Sequence, residues 1–218
     1  MKHFYKELQG WFGARELYRA VVKRSEQNAR FVEVGAWKGQ SAAFMAVEII
    51  NSEKDIEFHV VDTWEGSEEH WDPNSPSFEP ILKEQGTIFP IFKKNLKPVW
   101  NKINPVQSTS IKAAERFEDN SLDFVYIDAA HDYENVKNDI KAWLPKIKDT
   151  GLIAGDDYGW KGVSRAVEEI FKDNFLVEAN NSWIHCRETN FDYETFQKND
   201  LRKQSIMEKV ACFFKEPV

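Results

Sequence analysis

Leu122-Asp123-Phe124-Val125-Tyr126-Ile127-Asp128, followed by Glu134 to Trp143 and then Gly151-Leu152-Ile153-Ala154-Gly155-Asp156-Asp157, is the stretch that decides the fold. Two short apolar runs each stop at an acid, and the segment between them has helical spacing. This pattern predicts two parallel strands joined by a right-handed helical crossover. Parallel neighbours lie about 4.8 Å apart, so Asp128, Asp156 and Asp157 are expected to crowd at adjacent strand ends. Three carboxylates so placed repel one another unless a proton or a cation sits among them, and an oxygen-seeking divalent ion such as Mg²⁺ suits the position.

The same grammar recurs upstream. Phe31-Val32-Glu33-Val34 reads as a buried strand and Gly35-Ala36-Trp37-Lys38-Gly39-Gln40-Ser41 as a tight turn into the apolar helix Ala42 to Ile50. A second strand, Glu57 to Val61, then ends at Asp62. Glycine leaves room for a ligand against the backbone of such a turn, and an acid ending the next strand is placed to accept hydrogen bonds from both ribose hydroxyls. Glu33 faces either an amino group of the ligand or a backbone amide. A dinucleotide fingerprint places three glycines close together for a pyrophosphate, whereas this turn has Gly-x-x-x-Gly and no third. A nucleoside lacking a pyrophosphate fits better than NAD.

Outward from these two units, Leu8 to Val22 has near-helical apolar spacing interrupted by Gly10 and Gly13, a helix with a loop-like entry, which makes residues 1–30 a helical cap. Residues 65–101 carry five prolines and many aromatics, a composition that reads as a lid insertion with a helical second half from Ile88 to Val99. Pro105 to Gln107 is a third strand, Ile111 to Phe117 and Val163 to Lys172 are helices, and Phe175 to Glu178 pairs antiparallel with Trp183 to Cys186 around Asn180-Asn181. Residues 191–218 read as a helical tail packing on the domain or on a second subunit, as in a homodimer. No composition shift marks a boundary, so the expectation is one domain over 1–218.

The chain has 218 residues, 42% of them hydrophobic, enough for a sizeable core, and a net charge of −7 argues against nucleic acid as a partner. Cys186 and Cys212 form neither a metal-ligand spacing nor a disulfide framework. The start has no apolar leader core and the longest greasy run falls far short of a membrane span, so a cytoplasmic protein is expected.

Taken in order, Phe-Val-Glu-Val-Gly-Ala-Trp-Lys-Gly-Gln-Ser, His-Val-Val-Asp-Thr-Trp, Val-Tyr-Ile-Asp-Ala-Ala-His-Asp-Tyr and Gly-Leu-Ile-Ala-Gly-Asp-Asp-Tyr resemble the successive motifs of class I S-adenosylmethionine-dependent methyltransferases. Among these the chain is most similar to metal-dependent O-methyltransferases of the catechol and macrolide-sugar types. The resemblance implies an α/β fold with a Rossmann-like, doubly wound, seven-stranded sheet, mostly parallel with an antiparallel final strand and helices on both faces. It implies that Glu33, Gly35 and Gly39 line the methionine part of the cofactor, that Asp62 holds the ribose and that Thr109 and Ser110 lie near the adenine. Ser41, Thr63, Trp64 and Asp128 complete that cofactor set. The implied metal ligands are Asp128, Asp156 and Asp157, and the Asp-Asp-Tyr sequence leans toward the macrolide-sugar type.

His131 stands where catechol-type relatives place a lysine regarded as the general base. With an ordinary pKa of about 6.5 it can accept a proton near neutrality, while a helix starting near Asp132 offers it a capping task instead. The expected activity is methyl transfer to a hydroxyl of a small molecule or sugar, with Asp128 and His131 catalytic. A nicotinamide-dependent oxidoreductase and a non-catalytic nucleoside-binding protein are the alternatives. The acceptor itself is not legible.

Overall fold

The computed structural model describes residues 1–187, and the tail expected over 191–218 lies outside them. The chain divides into two compact units, Met1–Phe117 and residues from Glu118 onward.

In the first unit α1 (Arg15–Arg24), β1 (Arg30–Val34), α2 (Gln40–Ser52) and β2 (Glu57–Asp62) follow one another. Next come three short helices, α3 (Glu68–Trp71), α4 (Pro80–Gln85) and α5 (Phe89–Asn95), and then β3 (Asn104–Gln107) and α6 (Ser110–Ala114). The strands are parallel in the order β3-β2-β1, with Val34 opposite Val61 and Asp62 opposite Gln107. Helix α2 is buried from Ser41 to Val47, the mark of a helix covered on every side. Helix α1 and the 3-10 turns at Tyr5–Glu7 and Lys97–Lys102 pack on it. The Lys54 ammonium donates to the carbonyls of Val22, Lys23 and Ser25, supplying the partners that the end of α1 lacks.

Two segments are more sharply defined than the expectation. The helix read within Leu8 to Val22 begins at Arg15, after the loop-like entry that Gly10 and Gly13 announce. Gly10, at φ +151°, lies against Gln40, whose side-chain amide donates to the Leu8 carbonyl, so the entry is an extended strap on the start of α2. Residues 65–101 are more regular than their prolines suggest, because Pro80, Pro90 and Pro98 sit at helix starts, where the missing N–H costs nothing. Leu82, Ile88, Phe92, Leu96 and Val99 give the segment a buried face.

The second unit holds β4 (Leu122–Ile127), α7 (Tyr133–Trp143), β5 (Ile147–Gly155), α8 (Lys161–Phe171), β6 (Leu176–Val177) and β7 (Trp183–Cys186). Its strand order is β4-β5-β7-β6. β4 and β5 run parallel, and β7 is antiparallel to both β5 and β6, as predicted. Ile127 pairs with Gly155, which sets Asp128 and Asp156 side by side one residue beyond the ladder. A Cβ at Gly155 would overlap the Ile127 carbonyl and lie 2.6 Å from the Trp183 ring, so this strand end accepts only glycine.

Gly155→Ala is therefore expected to cost about 1–3 kcal/mol, as overpacking of a filled core does. Urea unfolding followed by tryptophan fluorescence measures it, and an unchanged midpoint would contradict this account of the β4–β5 end.

Candidate cofactor cradle and acid–histidine cluster

In the first unit the carboxyl ends of β1, β2 and β3 gather most of the residues expected to meet a nucleoside. Asp62 is the tie between them. Its Oδ2 accepts from the amides of Ala36 and Trp37 at 2.8 and 2.9 Å, and its Oδ1 accepts from the amide of Trp64 at 2.7 Å. Gly35, at φ +86°, donates to the Val61 carbonyl, and Ser108 donates to that of Asp62. A carboxylate offers about four acceptor positions, and Asp62 gives three of them to the backbone of these loops.

The partners of Glu33 among the described residues are side-chain hydroxyls and not a backbone amide. Glu33 is 1% exposed and accepts from the hydroxyls of Tyr18 (2.9 Å) and Ser41 (2.8 Å), so the Ser41 hydroxyl is committed to Glu33. Burial pushes the Glu33 carboxyl up to about 7, with the Asp62 charge adding to the rise and the two hydroxyls opposing it. Gly39, at φ +91°, lies under Phe92 and Leu96, which a Cβ would meet at 3.0 and 3.1 Å; its small size serves the packing of α5. Trp64 is fully buried against Phe89 and Phe92, which makes its ring core and not pocket wall. The Thr63 hydroxyl accepts from the Glu65 amide, Thr109 occupies the position just before α6, and Ser110 is that helix's first residue.

Sequence reasoning missed how firmly the glycine turn is clasped. Lys38, 4% exposed, pairs with Glu79 and also donates to Gln9, while Asn95 donates to the Lys38 carbonyl. The His70 ring lies on Trp37 with centroids 4.0 Å apart. Trp37 Nε1 is buried and has no hydrogen-bond partner among the described residues, a donor that a ligand acceptor would satisfy.

In the second unit the structure gathers Asp128, His131 and Asp157, whose ligand atoms all lie within 4.8 Å of one another. His131 Nε2 is 2.9 Å from Asp157 Oδ2, and the imidazole stacks on the exposed ring of Trp160 at 5.1 Å. Asp156 is not in this group. Its Oδ1 accepts from the Asp157 amide, and the Tyr126 hydroxyl, itself 3.1 Å from Ser182 Oγ, bonds to it. Burial pushes the Asp156 carboxyl up to about 6, against the pull of that amide and together with the charge of Asp157. The separation of the two acids follows from the backbone, since Asp157 takes the left-handed region (φ +57°), which aspartate tolerates.

The capping task open to His131 belongs to its neighbour. Asp132 is the N-cap of α7 and accepts from the Asn135 amide. Gly162, near the start of α8, lies directly against the His131 carbonyl and the Tyr133 amide, where a Cβ would collide with backbone.

The Glu33 carboxyl gives a pH test. Below about pH 4.5 it is protonated folded or unfolded. As pH rises toward about 7 only the unfolded chain ionises, so stability falls, by on the order of 3 kcal/mol when complete. Glu33→Gln should flatten that decline in urea unfolding at pH 5 and pH 8, and an unchanged slope would show that Glu33 ionises freely in the fold.

Comparison with known proteins agrees with this layout. A family model described as a methyltransferase domain matches residues 32–158. An uncharacterized protein of Sinorhizobium fredii, y4gI, is 24% identical over 128 residues, which are 59% of this chain and 13% of that protein's length. Among solved structures, the O-methyltransferase NovP superposes with a TM-score of 0.60 at 16% identity, covering 79% of this chain and 78% of that one. The TDP-rhamnose 3'-O-methyltransferase CalS11 gives 0.51 at 14%, covering 78% and 75%. A precorrin-6y C5,15-methyltransferase from Geobacter metallireducens gives 0.52 at 15%, covering 78% and 84%. At these identities the likeness shows the fold, a Rossmann-like, mostly parallel seven-stranded sheet with antiparallel final strands, as expected. With the family model spanning more than half of its residues, the chain belongs to the methyltransferase-domain family, for which S-adenosylmethionine is the implied methyl donor.

Proposed function

We propose that the protein methylates a hydroxyl group of a small molecule, using S-adenosylmethionine and assisted by a divalent cation. The observation that carries the oxygen acceptor is the Asp128–His131–Asp157 cluster, which suits a group that must lose a proton. When bound, S-adenosylmethionine supplies an electrophilic methyl carbon on a sulfonium. A divalent cation held by the cluster would lower the pKa of an acceptor hydroxyl.

The residues of the chain do the rest. Asp62 accepts from the ribose while keeping the glycine turn folded, and the fixed turn holds the donor in one orientation. Thr109 and Ser110, beyond the neighbouring strand end, stand for the adenine side. Trp160, 57% exposed and stacked on His131, offers a flat apolar face to a ring-shaped acceptor and narrows the access of water to the cluster. The sugar-modifying CalS11 makes a sugar hydroxyl a reasonable first class of acceptor to try. The oxidoreductase alternative has no support in the family match.

Isothermal titration should show S-adenosylmethionine binding in the micromolar range, weakened about tenfold or more in Asp62→Ala, since a hydrogen bond to a charged group and the turn that it holds are lost together. Methyl transfer to a panel of hydroxylated sugars and phenols should stop with a chelator. Transfer that is indifferent to chelation would remove the cation, and methylation confined to nitrogen or carbon acceptors would remove the hydroxyl.

A further inference from the structure

The three acids that the sequence places together do not share one point. Asp156 is turned into the unit, bonded through Tyr126 toward Ser182, and the position beside Asp128 and Asp157 is taken by an imidazole. The 2.9 Å between His131 Nε2 and Asp157 Oδ2 suits more than an ion pair. Two neighbouring ligands of an octahedral ion, each about 2.1 Å from it, lie about 3.0 Å apart. The same three side chains, Asp128, His131 and Asp157, line with Asp156 a cavity of about 10 Å³, roughly the room of one water molecule. The loop bearing His131 is fixed for such a task, because Asp132 caps α7 and Gly162 supports the His131 carbonyl from below.

Resting on the reading of this cluster as the metal-assisted end of the reaction, we infer that His131 is a metal ligand and not the general base, and that the site selects a first-row transition metal such as Co²⁺ or Fe²⁺ over Mg²⁺. Mg²⁺ strongly favours oxygen donors, whereas imidazole nitrogen raises affinity along the series toward cobalt, nickel and zinc. Asp128 and Asp157 supply the charge that any divalent ion requires. His131 supplies the discrimination. Asp156 stays outside the coordination shell as the residue that carries Asp157 into position, its Oδ1 holding the Asp157 amide.

The test needs no acceptor and no turnover. CoCl₂ and MgCl₂ are titrated separately into the protein, with the Co²⁺ d–d absorption and the paramagnetically shifted imidazole proton resonances recorded alongside. Co²⁺ should bind at least 100-fold more tightly than Mg²⁺. His131→Gln should weaken Co²⁺ at least tenfold, leave Mg²⁺ within about threefold and abolish the shifted imidazole signal. His131 is exposed, so this variant should fold, and Asp156→Asn should leave Co²⁺ affinity within about threefold. Loss of Co²⁺ binding in Asp156→Asn with retention in His131→Gln would return the site to the three acids, and the absence of any metal binding would overturn the inference. A parallel titration with S-adenosylmethionine separates the two readings: a failure there with His131-dependent Co²⁺ binding intact sinks the proposed function and leaves the metal assignment standing.

Discussion

One carboxylate fixes the first unit's working end. Asp62 terminates β2, and its two oxygens receive three backbone amides from two turns, those of Ala36 and Trp37 after β1 and that of Trp64 just beyond β2 itself. Trp37 and Trp64 both have positive φ, a conformation that bulky residues rarely adopt and that persists only where the surroundings over-determine it. The charged acceptor does so from one side, and the packing of Trp64 among Phe89 and Phe92 does so from the other. Residues 65–101 therefore belong to the construction of the glycine turn. Their Glu79, His70, Phe92 and Asn95 each touch it.

The second unit solves a charge problem by the opposite means. Its strand register brings Asp128 and Asp156 side by side, and like charges at that spacing do not coexist without compensation. The fold divides the load. Burial keeps Asp156 easily protonated against the pull of the Asp157 amide and the Tyr126 hydroxyl, while a single left-handed residue swings Asp157 toward His131. The order of the acids along the chain is thus a poor guide to which of them act together.

Much of this was legible beforehand because it is written in periodicity. Apolar runs ending at Asp62, Asp128 and Asp156 placed the strands, their direction and the carboxyl edge, and Asn180-Asn181 announced the final antiparallel turn. What escaped depends on single backbone angles or on distant partners. Nothing in the sequence near Lys38 points to Glu79, and nothing near Glu33 points to Tyr18, because those pairs form only when separate elements pack. The regrouping of Asp157 with His131 needed φ at one position, which composition does not encode.

Gly162 carries a consequence for how this protein could change. Because its bare backbone lies against the His131 carbonyl and the Tyr133 amide, the start of α8 and the loop before α7 form one mechanical part. A larger residue at 162 would displace that carbonyl, and the imidazole with it, although no member of the acid–histidine cluster had been changed. Trp160, two residues away, belongs to the same part, since it precedes α8, donates its amide to the Asp157 carbonyl and stacks its solvent-open ring on His131, so a change at either position is felt by the whole cluster.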